Sequence, residues 1–278
     1  MNRRSNFSPR KRLATCSALI ACAMSFVPVL SSCAVVDHFG PRPNKTLTTL
    51  AFSASFDADN TDKPHVSALR KTQSEQLFAE VERLCGTYPD GTSPASCTIS
   101  TPIQDEPETD PTTQIAASLQ ELIDAIDQAP AESRPLLIEQ AIDLAAVIDP
   151  DGTYNHLLEE VDEATAALEV DDKLRGQAEE LLKQEYATIY AFDVAESFGA
   201  YVDNSPHEMA ALQLSALLGD SAPPAPVAYT SDWPTSDTAD EFAAHARAAH
   251  RAAYVEAAAA SSNDTWREWI IRTAATAS

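Results

Sequence analysis

Between Pro150 and Pro206 the chain contains no proline, although it has 18 in all. Proline removes a helical hydrogen bond and clashes with the preceding turn, so long helices need such intervals. Asp171 and Asp172 suit a helix N-terminus, where side-chain oxygens cap free N–H groups and negative charge is favoured. The spacing predicts a long helix over 173–202. Glycine is rare, at 7 residues, alanine is abundant, and no segment sustains the alternation of a strand. An all-α fold is expected. With 44% hydrophobic residues the chain can bury a core, which excludes wholesale disorder.

Apolar periodicity and turn residues divide the rest. Helices are predicted over 46–58 and 64–85, the second with Pro64 in its first turn and Val66, Leu69, Leu77, Val81 and Leu84 on one face. The acidic, proline-rich 98–111 reads as a linker. Helices follow over 113–129 (Ile115, Leu119, Leu122, Ile123, Ile126) and 132–148 (Leu137, Ile138, Ala141, Ile142, Ala145, Ile148), with a further one over 154–169. Ser205-Pro206-His207-Glu208, Thr238-Ala239-Asp240-Glu241 and Thr265-Trp266-Arg267-Glu268 have capping-box spacing. They open helices ending near Gly219, at 260 and near the C-terminus.

The N-terminus has the three parts of a secretory signal. Residues 1–12 are basic, 13–30 are apolar, and Leu30-Ser31-Ser32-Cys33 resembles a bacterial lipobox. Residues 1–32 are expected to be removed and Cys33 to carry a diacylglyceryl anchor, followed by a tether over 33–45. The twelve residues 34–45 reach at most about 40 Å, which keeps the domain at the membrane surface on the extracytoplasmic side. Five of the 19 basic residues (Arg3, Arg4, Arg10, Lys11, Arg12) leave with the signal. The mature chain keeps 14 against 42 acidic ones, a net of −28. Such a surface repels nucleic acid and anionic lipid headgroups. Cys85 and Cys97 form an even pair in an oxidising compartment, and a disulfide between them is expected.

The run Gln177 to Glu196, QAEELLKQEYATIYAFDVAE, resembles the first helix of a ferritin-like domain of unknown function found in bacterial lipoproteins. The proline-rich 224–242 resembles that family's connection before its third helix, and the alanine-rich 243–260 and the closing 264–275 resemble its last two helices. The likeness covers about 173–278. It implies a ferritin-like four-helix bundle over 171–278 and brings no established activity; the periodicity above adds an N-terminal helical region over 46–170. Tyr186 stands where the family has His.

Chemistry-bearing constellations are few. Ferritin-like di-iron sites use Glu-x-x-His on two helices, and that spacing does not occur, so no metal ligands or cofactor are expected. His245 and His250 diverge by about 140° at ~100° per residue and are expected as flanking or surface residues. Asp57-Ala58-Asp59-Asn60-Thr61-Asp62 begins like a calcium loop but lacks the glycine and the closing glutamate. It reads as a helix-ending acidic turn. Trp266 and Trp269 read as core aromatics. No catalytic motif is present.

Glu185 is the exception, because it falls in the apolar stripe with Leu174, Ala178 and Phe192. A buried carboxylate needs a proton, a hydrogen bond or a cation. Donors from Tyr186, Tyr190 or an arginine of 247–251 are expected. Glu196 lies near the same stripe, about 16 Å further along the axis. The candidate binding or buried polar site is therefore Glu185, Tyr186 and Glu196. Three roles follow: a non-catalytic partner of an envelope protein, a carboxylate metal protein, or a receptor for a small ligand. Cys33→Ala should abolish acylation. Equal incorporation of radiolabelled fatty acid into wild type and variant would refute the anchor.

Overall fold

A computed structural model describes residues 40–100, 111–148, 164, 171–226, 229 and 238–277. The lipobox, most of the tether and the expected helix over 154–169 (Ala164 apart) lie outside those residues. The described residues are all-helical, with eight α-helices and no strand. None of these helices is long and apolar enough to cross a membrane.

Helix α1 (Lys45–Asn60) starts at Asn44, whose side chain accepts from the Leu47 N–H. After a short turn α2 (Pro64–Cys85) packs back along it, burying Leu47, Leu50, Leu77 and Val81. Gly86, at φ +73°, ends α2 in a conformation that a side chain would resist. Cys85 and Cys97 are joined by a disulfide, which ties this terminus to a short 3-10 turn at Ala95–Cys97.

Helices α3 (Pro111–Ala125) and α4 (Arg134–Ile148) bury their expected stripes, except that Ile148 stands 36% exposed at the open end of α4. The acidic turn at 57–62 is corrected in one respect. Asp57 is in the last turn of α1 and fully buried, held by Arg70 at 2.8–2.9 Å and by the Ser118 hydroxyl at 2.7 Å. Arg70 also donates to the Gln73 side chain, and Gln73 and Gln140 exchange bonds with each other's backbone carbonyls. This polar network joins α1 to α4 through the core.

The second half comprises α5 (Asp172–Ser197), α6 (Ser205–Leu218), α7 (Ala239–Ala260) and α8 (Asp264–Thr276). Asp171 caps α5 and Thr238 caps α7 through the Glu241 N–H, as expected. Three expectations are corrected. Helix α5 stops at Ser197 rather than 202, because Gly199 turns the chain at φ +97°. The serine of Ser205-Pro206 lies inside α6, preceded by Asn204 with no side-chain cap. Asn263, not Thr265, caps α8.

Helix α5 packs against both α6 and α7, and α7 against α8. Helix α4 packs against α8 and α7, so one apolar core runs from Leu47 and Leu77 to Trp266 and Trp269. The two tryptophans are buried and stacked, with centroids 4.9 Å apart. The buried Arg267 clasps this junction. Its guanidinium bonds Asp127 in the turn before α4, Asp264, and the carbonyls of Ala258 and Ser261 at the end of α7.

The disulfide closes a short loop, for which the chain-entropy argument gives roughly 3 kcal/mol. Cys85→Ala/Cys97→Ala should lower the melting temperature accordingly. An unchanged temperature, or two alkylatable thiols in the native protein, would contradict the bridge's role.

Candidate functional site

The buried stripe of α5 contains Leu174, Ala178, Leu181, Leu182, Glu185, Thr188 and Phe192 at helical spacing. One carboxylate is therefore carried into the apolar centre. Helix α6 presents His207 in its first turn, on the face that also buries Ala210, Ala211 and Leu214. Helix α7 buries Ala243, Ala246, His250, Tyr254 and Ala258, which puts His250 and Tyr254 one turn apart on one face. Alanine on both inner faces lets α5 and α7 approach closely, through Ala191, Ala195, Ala243 and Ala246.

These three helices converge on Glu185. His207 Nδ1 lies 2.8 Å from Oε2, and His250 Nε2 lies 2.8 Å from Oε1. The Tyr254 hydroxyl donates to Oε1 at 2.5 Å. Glu185 and Tyr254 are 0% exposed, His207 1% and His250 2%. The His207 and His250 rings meet edge to face at 4.6 Å, and Phe192 packs against His207 in the same manner at 5.0 Å. The Arg247 guanidinium covers the Phe192 ring.

Burial pushes the Glu185 carboxyl up. The hydrogen bonds of His207 and His250, with the favourable electrostatics of the two rings, outweigh burial and hold it down to about 2. Tyr254 is driven the other way, well above the ordinary phenol range, by its burial and by the Glu185 charge. It is thus the neutral donor of the cluster. Glu185, His207 and His250 each offer one ligand atom, all within 4.8 Å of one another.

Several expectations change here. Glu185 is buried as expected, but its donors are not the predicted ones. Tyr186 reaches Ser215 at 3.4 Å, Tyr190 is largely exposed and packs against Tyr229, and Arg251 pairs with Asp143 on α4. Glu196 is exposed and takes no part. His245 is exposed, whereas His250 is in the core. The divergence of those two residues is real, and it turns one of them inward. The Glu-x-x-His rule examines one helix at a time and so passes over a cluster whose members come from three. His207 carried a readable signal, since Ala210, Ala211 and Leu214 follow it at three, four and seven residues.

A separate cleft of about 610 Å³ opens where α5 ends and α7 begins, lined by Val194, Phe198, Thr238, Asp240 and Phe242. Its polar side chains, Thr238 and Asp240, belong to the start of α7, and the convergent buried polar groups of this half lie at Glu185 instead. Compared with profiles of protein families, with curated proteins and with solved structures, the chain matches none.

Glu185→Ala would leave three buried donors without an acceptor and should destabilise the fold by about 3–5 kcal/mol; Glu185→Gln should be milder. Because the folded carboxyl lies below its ordinary value of 4.5, its contribution is complete above that pH. It is lost as pH falls from about 4.5 towards 2. Urea titrations across that window should show this loss in the wild type and not in Glu185→Gln. Parallel pH profiles for the two would refute the assignment.

Proposed function

We propose that this chain is a lipid-anchored, extracytoplasmic helical protein that binds or holds a ligand at the cell envelope rather than transforming one. Its C-terminal helices α5–α8 are read as a ferritin-like four-helix bundle. The observation that carries the reading is the closure of the Glu185 centre. Its acid, imidazole and phenol groups converge in the core, yet none faces solvent. A catalytic group has to meet its substrate at hydrogen-bond distance, and a sealed centre serves retention better than turnover. The anchor is supported by the basic and apolar segments before Ser31-Ser32-Cys33. The bundle is supported by the packing of α5 against α6 and α7, and by the α5 wording quoted above.

Protease added to spheroplasts should digest the domain while a cytoplasmic marker survives. Native mass spectrometry of the detergent-extracted chain should show a bound species that Glu185→Gln loses. A protected domain, or Glu185-dependent turnover of a substrate, would sink this reading.

A further inference from the structure

Among the described residues, His207 and His250 are inside the core, while His65 and His245 are exposed. The two inner rings come from different helices and are aimed at the two oxygens of one carboxylate. Satisfying that carboxylate does not require both, because a phenol and one imidazole already supply two donors. Divalent ions take nitrogen and oxygen ligands at ~2.0–2.2 Å, which places neighbouring ligand atoms roughly 3.0–3.4 Å apart. The two Glu185–histidine separations of 2.8 Å, one to each carboxylate oxygen, are a few tenths of an ångström short of that spacing, and one ligand atom from each of the three residues lies within 4.8 Å of the others.

From this convergence we infer that Glu185, His207 and His250 form a mononuclear binding site for one divalent first-row transition-metal ion, resting on the binding role proposed above and naming its ligand. The donor set has two imidazole nitrogens, a carboxylate and no thiolate. Such a set suits zinc, iron(II), cobalt(II) or nickel(II) and disfavours soft copper(I). To coordinate, His207 uses Nδ1 and His250 uses Nε2. Each of these nitrogens must give up its hydrogen, to the other ring nitrogen or to solvent. Tyr254 is a positioning residue, because its bond to Oε1 fixes the carboxylate plane. The strongly negative charge of the molecule raises the local concentration of cations.

The full chain, extracted in detergent and stripped with a chelator, should be titrated with Co²⁺ and separately with Zn²⁺. One equivalent of either is expected to bind and raise the melting temperature, and Co²⁺ should develop visible d–d absorption. His207→Asn and His250→Asn, with helix content verified by circular dichroism, should each weaken binding by about 100-fold or more. His245→Asn, on the exposed face of α7, should bind as the wild type does. A folded wild-type chain that takes up well short of one equivalent overturns the site, as does one that keeps its Co²⁺ spectrum in both variants. An organic molecule bound in place of metal removes this inference and leaves the binding role standing. A chain found in the cytoplasm that still loads one Co²⁺ does the reverse.

Discussion

A carboxylate in the apolar centre of three helices is the constraint on which the second half of the molecule depends. Left alone, the ionised Glu185 would lose its hydration and gain nothing, at a cost of several kcal/mol. The fold answers with donors from two neighbouring helices, and those donors fix the relative positions of α5, α6 and α7. His207 sets how α6 enters, and Tyr254 sets the register of α7 against α5. Apolar packing is tolerant of small slips, whereas hydrogen bonds of 2.5–2.8 Å are not. Alanines between α5 and α7 make the approach possible, and the polar centre makes it specific.

The first half uses the same device with a different pair. Asp57 and Arg70 are buried together, and the surrounding hydroxyl and amides reach α3 and α4. Arg267 then joins the halves by closing the end of α7 while holding Asp127. Three buried clusters, built on four charged side chains (Asp57, Arg70, Glu185 and Arg267), thus stitch together the eight helices of the described residues, whose apolar contacts are less directional. The chain is low in glycine and rich in alanine, so helix formation is easy and the choice among helix packings is the harder problem.

The helices were largely legible because proline, capping residues and leucine–isoleucine stripes are local signals. Helices α2 and α7 have the predicted bounds, and the stripe of α3 is buried throughout. Glu185 was legible for the same reason, as a charge inside an apolar stripe. Its partners were not assigned, although the spacing after His207 was readable. In α7 alanine occupies inner and outer faces alike and no large apolar residue stands between Phe242 and Tyr254, so His250 could not be told from His245 by its neighbours. His207 belonged to a turn that looked like a cap. Pairing between helices 22 and 65 residues apart is a property of packing, on which no single-helix spacing reports.

The 65 residues between Glu185 and His250 also have a consequence in time. The chain is made from its N-terminus, so α5 emerges complete while two of its three anchoring partners are still unsynthesised. Until α7 arrives, the carboxylate has His207 and water but lacks the donors of His250 and Tyr254, so the docking of α5 stays incomplete. The last helices therefore act as the latch of the whole half. Closure waits on contacts of long sequence separation, which form late because loop entropy must be overcome first. A chain cut short before Tyr254 would hold an open, hydrated core rather than a nearly finished one.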